Sequence, residues 1–221
     1  MSDEAGGRRP RAILFDWDNT LVDTWPVIHV SLNATLVAFD QTPWTLDETR
    51  ARVRHSLRDS FPKMFGDRWE AAAEYFYEQF AARHLEALTA LSGAEDMLKA
   101  MRDLGLYLAV VSNKKGEYLR AEADKLGWSS YFGALIGALD APHDKPAREP
   151  VDLALAAGGL RTGADIWFAG DTNIDLECAV TAGCIPILVR PAPPEPDEFG
   201  QFAPARHVTD CQALCILVHE L

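Results

Sequence analysis

The apolar run Ile13-Leu14-Phe15 leads straight into Asp16-Trp17-Asp18-Asn19-Thr20-Leu21, and this junction constrains the chain more than any other segment. An apolar stretch ending in two aspartates at alternate positions puts both carboxylates on one face at the C-terminal end of a strand. Open α/β sheets build their ligand sites at that edge. Carboxylates so close repel each other, so the pair asks for a cation, a shared proton or a catalytic purpose. The plainer alternative, a strand end capped by solvated acids, is common enough that one pair alone does not displace it.

Three later segments change the balance. Leu106 to Val111 is a second apolar run, ending in Ser112-Asn113-Lys114. A loop, Asp140-Ala141-Pro142-His143-Asp144-Lys145-Pro146, then carries one lysine among turn residues. Ile166-Trp167-Phe168-Ala169 runs into Gly170-Asp171-Thr172-Asn173-Ile174-Asp175, another strand end bearing two acids. Acid pair, hydroxyl, lysine and second acid pair therefore follow in order. Each has a plain structural alternative: Ser112 or Asp171 as a helix N-cap, Lys145 as a solvated loop cation, Asp175 as a favourable acid in a helix's first turn.

Taken together, these motifs resemble the haloacid dehalogenase superfamily of phosphotransferases. Asp16-Trp17-Asp18-Asn19-Thr20 is similar to its first motif, Asp-x-Asp-x-Thr; Ser112 to the second, Lys145 to the third, and Gly170-Asp171 with Asp175 to the fourth. The resemblance runs from about Ile13 to the C-terminal helix. It implies a three-layer α/β/α Rossmann-like core with a parallel sheet and an inserted helical cap. It also implies a Mg²⁺-dependent phosphatase in which Asp16 is the nucleophile and forms an aspartyl-phosphate. Asp18 would protonate the leaving group and then activate water. Asp16, the Asp18 backbone carbonyl and Asp171 would ligate the metal, with Asp175 acting through a bound water or from behind the direct ligands. Ser112 and Asn113 would bind the phosphate, and Lys145 would sit between the phosphate and Asp16.

Within the superfamily, Asp16 to Thr24 looks like the phosphoglycolate-phosphatase branch. Ser112-Asn113-Lys114 is similar to that branch's Thr-Asn-Lys, and Phe61-Pro62-Lys63-Met64-Phe65-Gly66 resembles part of its cap. Phosphoglycolate-like esters are the leading substrate expectation. Three residues or clusters depart from the branch's pattern. Asn19 stands where glycine is usual, Arg148 follows Lys145-Pro146 in place of a proline or acid, and Arg50, Arg52, Arg54, His55, Arg58 and Lys63 form a basic cluster.

The architecture follows from spacing. The stretch from Asp18 to Ser112 is far longer than one βαβ crossover needs and reads mostly as helix. Residues 23–91 are expected to be a helical cap, and 1–22 with 92–221 the catalytic core. Thr24 to Phe39 is one helix. Thr45 and Glu48 form a capping box opening a basic helix through Leu57. Asp67 and Glu70 open a longer one reaching Leu88. Arg50, Arg54 and Arg58 would then share a face and could contact a second anionic group of the substrate; a solvated basic face is the alternative. Trp25, Trp44 and Trp69 read as cap core rather than substrate platforms. In the core, helices are expected over Ser92–Leu104 with a Ser92/Glu95 capping box, Gly116–Leu126, Pro150–Ala157 and Asn173–Ala182. Strands are expected near Ala134–Ile136, Ile185–Val189 and Val208, with an exposed Pro191–Pro204 loop and a C-terminal helix.

Composition narrows the partners. A 221-residue chain with 48% hydrophobic content can bury a large core. No apolar run reaches the roughly 18 residues of a membrane span, and the first ten residues lack a signal-peptide core. A formal charge of −12 argues against nucleic acid and makes local cations necessary for binding a phosphate ester. Cys178, Cys184, Cys211 and Cys215 form no CxxC pair or secreted framework, so a reducing cytoplasm is expected. Cys211, Cys215 and His219 recur every four residues, which on a straight helix spreads them over about 12 Å, too far to share an ion; they read as a buried helix face.

Competing functions differ in their residue demands. A phosphomutase would use the same Asp16 and Asp18 but return the phosphoryl group to a sugar. A dehalogenase needs one aspartate and no metal, which leaves Asp18 and the Asp171 pair unexplained. A receiver domain orders its acids, hydroxyl and lysine differently. A non-catalytic phospho-ligand-binding protein has no need of the intact set.

Overall fold

The computed structural model describes residues 9–53 and 55–221. Strand β1 (Ala12–Phe15) has every side chain buried, because helices cover both faces of the sheet it occupies. Ile13 and Phe15 face one layer with Met97, Met101 and Leu214, while Ala12 and Leu14 face the other with Val151, Leu155 and Ala179. The flanking strands are β4 (Tyr107–Lys115), β5 (Ala134–Ala138), β6 (Ile166–Gly170), β7 (Ile185–Val189) and β8 (Arg206–Val208). Among the described residues they form a six-stranded sheet in the order β5-β4-β1-β6-β7-β8. All its pairings are parallel. Strand order reverses between β4 and β6 on either side of β1, so the switch point lies at the tip of β1, directly before Asp16.

Around the sheet lie α5 (Ala94–Asp103), α6 (Gly116–Leu126), α7 (Glu149–Ala156), α8 (Asn173–Ala182) and α9 (Cys211–His219). The parallel sheet flanked by helices is the α/β class expected. Helix α5 starts later than the Ser92/Glu95 capping box implied. Gly93 is the cap at φ +76, with no side-chain cap bond, and Glu95 pairs with Lys99 at 2.8 Å. The Leu91 N–H is engaged by the Leu21 carbonyl (2.9 Å), which keeps the chain extended up to that left-handed turn. On α9, Cys211, Leu214 and Val218 make the buried face; Cys215 is half-buried and His219 exposed, so the expected Cys/Cys/His stripe is rotated outward at its far end. Most of the Pro191–Pro204 loop is exposed, but Phe199 is buried against Leu176 and Leu188.

After the aspartate pair the chain forms β2 (Val22–Asp23), which pairs antiparallel with β3 (Thr89–Ala90). This two-stranded ribbon is where a helical insert leaves and re-enters the core. The insert holds α1 (Trp25–Ala38), α2 (Leu46–Arg52), α3 (Leu57–Phe65) and α4 (Trp69–Ala81), packed on their own cluster of Leu32, Leu36, Phe61, Phe65, Ala72 and Ala73. The Thr45/Glu48 capping box is present: Glu48 N–H donates to Thr45 Oγ1 (3.2 Å) and Thr45 N–H to Glu48 Oε2 (2.9 Å).

The helix it opens does not run through Leu57. It stops at Arg52, Val53 is extended (φ −81, ψ 98), and α3 starts afresh after Ser56. Ser56-Leu57-Arg58-Asp59 is itself a start signal, with Ser56 Oγ donating to Asp59 Oδ2 at 3.0 Å. Val53 and Leu57 also turn inward onto the insert's core. Likewise α4 ends at Ala81 rather than near Leu88, and turns carry the chain back to β3.

Candidate active site

Asp16 leaves β1 at the switch point, with its N–H donating to the Ala169 carbonyl (2.9 Å). The turn behind it needs a left-handed residue, and Asn19 takes φ +64 there. Its Oδ1 accepts from Thr24 N–H at 3.3 Å, tying the turn to the start of α1. Asparagine, after glycine the residue that visits this region most readily, thus meets the demand of the turn.

Asp16, Asp171 and Asp175 converge, each offering a carboxylate oxygen within 4.8 Å of the others. Among the described residues this is the group able to hold a metal ion. Lys145 is driven into it: only 2% exposed, its Nζ donates to Asp16 Oδ1 (2.6 Å) and Asp175 Oδ1 (2.7 Å). A solvated loop cation is therefore excluded. Asp175 also accepts from the Thr172 N–H (3.0 Å) and hydroxyl (2.7 Å), which pins it at the start of α8. The cap of that helix is Thr172, not Asp171, so Asp171 is left for the site.

One lysine does not balance three acids. Burial, then the charges of Asp175 and Asp18, push Asp16 up to about 7 despite Lys145. Burial and the neighbouring Asp175 and Asp16 raise Asp171 well above the ordinary carboxylate range. Burial alone would lower Lys145, but Asp16 and Asp175 outweigh it and hold the ammonium above its usual range. The set is all hard oxygen with surplus negative charge, which suits Mg²⁺ or a similar cation.

Ser112 lies within β4, which runs on to Lys115, so it is no helix cap; α6 begins only at Gly116. Its buried Oγ accepts from Lys114 N–H (3.1 Å), and the hydroxyl keeps a hydrogen to donate. Asn113 clamps the lysine loop in both directions. Its Nδ2 donates to the Lys145 carbonyl (3.1 Å), and Lys145 N–H donates to its Oδ1 (2.9 Å).

Asp18 holds a partner that sequence reasoning gave no role. Lys114 Nζ lies 2.7 Å from Asp18 Oδ1 and 2.5 Å from Glu122 Oε2. Glu122 is wholly buried and also receives Trp17 Nε1–H (2.7 Å), while its other oxygen meets His84 Nδ1 (2.9 Å). The signal was present: Leu119, Glu122, Ala123 and Leu126 recur at helical spacing, and a carboxylate on an apolar stripe must find partners.

The basic cluster fares differently. With α2 ending at Arg52, Arg50 and Arg58 share no helix face; Arg54 lies outside the described residues. Arg50 is 3.9 Å from Asp47 and exposed. Arg58 Nε reaches across to Asp144 (2.6 Å), next to Lys145. Of the three tryptophans, Trp44 and Trp69 pack on the insert's core as expected, while Trp25, and Trp44 on its other side, line the cavity that contains Asp16, Ser112, Lys145 and Asp171.

Residues 13–189 match the family model described as haloacid dehalogenase-like hydrolase. The chain belongs to that family. The cluster just described, at the tips of β1, β4 and β6, lies within the matched residues. Among relatives, phosphoglycolate phosphatase 1 of Pseudomonas aeruginosa is 29% identical over 187 residues, covering 80% of this chain and 68% of its own length. A haloacid dehalogenase-superfamily hydrolase from Ehrlichia chaffeensis superposes with a TM-score of 0.66 at 26% identity, over 97% of this chain and 98% of that one. A predicted phosphatase from Clostridium acetobutylicum shares the fold at a TM-score of 0.84 and 22% identity, over 97% of this chain and all of the other (100%).

Proposed function

We propose that this chain is a Mg²⁺-dependent phosphatase that hydrolyses a small phosphate monoester through an aspartyl-phosphate on Asp16. The observation that carries it is the convergence of Asp16, Asp171 and Asp175 within 4.8 Å with Lys145 wedged between two of them. Asp16, Asp171 and the Asp18 backbone carbonyl would hold the ion, with Asp175 behind or beside them; when bound, it offsets the charge of the acids and of the phosphate dianion. Phosphatase names among relatives support the same class.

The residues divide the work. An Asp16 carboxylate oxygen attacks phosphorus as the ester's P–O bond breaks, and Asp18 gives its proton to the departing oxygen. Asp18 then takes a proton from the water that attacks the aspartyl-phosphate, releasing phosphate and restoring the Asp16 carboxylate. Lys114 fixes the Asp18 carboxyl throughout. Because Glu122 shares that ammonium, Asp18 can take up a proton without leaving a buried cation unanswered. Ser112 donates to a phosphate oxygen, Lys145 offsets charge on the transferring group, and Asn113 places Lys145.

Residues 23–91 act as the cap and 1–22 with 92–221 as the core. Closure of the insert over the β-strand tips would exclude bulk water during transfer. The test is phosphate release from a panel of esters, phosphoglycolate included, with Mg²⁺ or EDTA. Turnover that needs both Mg²⁺ and Asp16 supports the proposal; activity retained in Asp16→Asn contradicts it.

A further inference from the structure

We infer that the leaving group this site accepts is an uncharged hydrocarbon of a few carbons or a single ring, not a second anionic group. The inference rests on the phosphatase reading and specifies the substrate class of the same site. The cavity above Asp16 holds about 180 Å³. A dry cavity of roughly 150 Å³ takes a whole benzene molecule, so there is room beside a phosphoryl group for a short chain or small ring. Polar groups lie at the floor: Asp16, Ser112, Asn113, Lys145 and Asp171. The walls contributed by the insert and α6 are mainly apolar or aromatic, with Trp25, Trp44, Met64, Phe76, Tyr77 and Tyr118 each only half-buried and bordering the space; Arg52, His55 and Ser60 are the polar residues the insert adds.

A carboxylate or second phosphate on the substrate would need a cation there. Among the described residues, each lysine and arginine lining the cavity is already matched to an acid, and His55, the remaining basic side chain of the lining, is exposed to water. Arg52 is bound to Glu48 (3.0 Å) and lies over the Trp44 ring at 4.7 Å. Lys115 is bound to Glu117 (2.6 Å) and lies 5.0 Å from the Tyr77 ring centre. Lys114 is shared by Asp18 and Glu122, and Lys145 by Asp16 and Asp175. Drawing Lys114 or Lys145 to a substrate anion costs a buried pair, and Arg52 and Lys115, in part-exposed pairs, hold their charge where water screens its pull on an anion. Hydrocarbon placed against these walls costs no buried pair and gains burial.

The experiment compares kcat/KM of the full chain with Mg²⁺ across ethyl, propyl, butyl and pentyl phosphate, whose leaving groups are chemically alike. Phosphoglycolate and 3-carboxypropyl phosphate are the anionic counterparts. The expected result is a rise of about threefold to fourfold per methylene, with butyl phosphate at least tenfold better than 3-carboxypropyl phosphate. Met64→Ala should flatten the pentyl-to-ethyl ratio, a ratio that general loss of folded enzyme would leave alone. A flat series, or preference for either carboxylate ester, overturns the inference while leaving the phosphatase intact. No phosphate release from any ester overturns the phosphatase and the inference with it.

Discussion

Lys114 Nζ stands 2.7 Å from Asp18 Oδ1 and 2.5 Å from Glu122 Oε2, so one buried ammonium joins the aspartate proposed as acid and base to a carboxylate deep in the core. His84, on the return from the helical insert, completes the chain through the other oxygen of Glu122. The catalytic turn, β4, α6 and the insert's exit are thus held by one network, and its members predict distinct consequences.

Lys114→Met removes the fixed partner of Asp18 and leaves Glu122 short of a cation. We expect kcat to fall by about a hundredfold, within the range acid–base catalysis contributes, with a smaller change in KM. Lys114→Arg should restore part of the loss. Steady-state kinetics on one ester decide this; unchanged kcat in a folded Lys114→Met protein would remove Lys114 from the site.

Glu122→Gln should cost about 3 kcal/mol of unfolding free energy, because it strips a charge from a buried ion pair. Burial by itself would raise Glu122, but hydrogen bonds from His84, Lys114 and Trp17 and the Lys114 charge bring it below its ordinary value of 4.5. A carboxylate depressed in the folded state adds stability above pH 4.5 that disappears as the pH falls through its folded value. The variant should therefore lose most stability near neutrality and approach wild type in acid. Urea unfolding across pH measures both effects.

Much of this molecule was readable in advance, for reasons that differ by element. Strands β1, β6 and β7 are buried on both faces, so continuous apolar runs marked them, and helices α6 and α8 stop where expected because Gly127 and Gly183 cap them in the left-handed region. Asp16, Asp171, Asp175 and Lys145 were legible because each sits at or near a strand tip where side chains converge. The Arg50/Arg54/Arg58 face was not, because a second cap signal at Ser56 overrides helix periodicity. Lys114, Glu122 and His84 were missed because their meeting depends on tertiary packing; only the misplaced charge on the α6 stripe announced it. Trp25 and Trp44 look like core residues in sequence, and only the insert's position over β1 and β4 shows them bordering a cavity.

The acid cluster predicts how pH and metal combine. Asp16 is raised from 3.8 to about 7, so between those values the metal-free folded state binds more protons than the unfolded chain. Stability then falls as pH rises through that window. Mg²⁺ should raise Tm far more at pH 8 than at pH 5, since it replaces the protons that relieve the repulsion. Differential scanning calorimetry with Mg²⁺ or EDTA at the two pH values reads this directly.

Arg58→Ala tests the link from the insert to the lysine loop. Asp144 is 1% exposed at its side chain and, among the described residues, would keep the Leu139 N–H (3.1 Å) as its side-chain partner. A destabilisation of about 1–3 kcal/mol is expected for a buried acceptor losing its charged partner. Because Asp144 adjoins Lys145, kcat/KM should fall as well; chemical denaturation and kinetics on the same preparation separate the two.

The most direct test of the central claim is to trap the intermediate. Enzyme turning over an ester is quenched in acid, reduced with borohydride and mapped by peptide mass spectrometry. An acyl phosphate on Asp16 is converted to homoserine at that position, and its appearance only with substrate and Mg²⁺ is the predicted result. A rapidly hydrolysing enzyme that yields reduction at another acid, at Asp18 for example, would contradict Asp16 as the nucleophile.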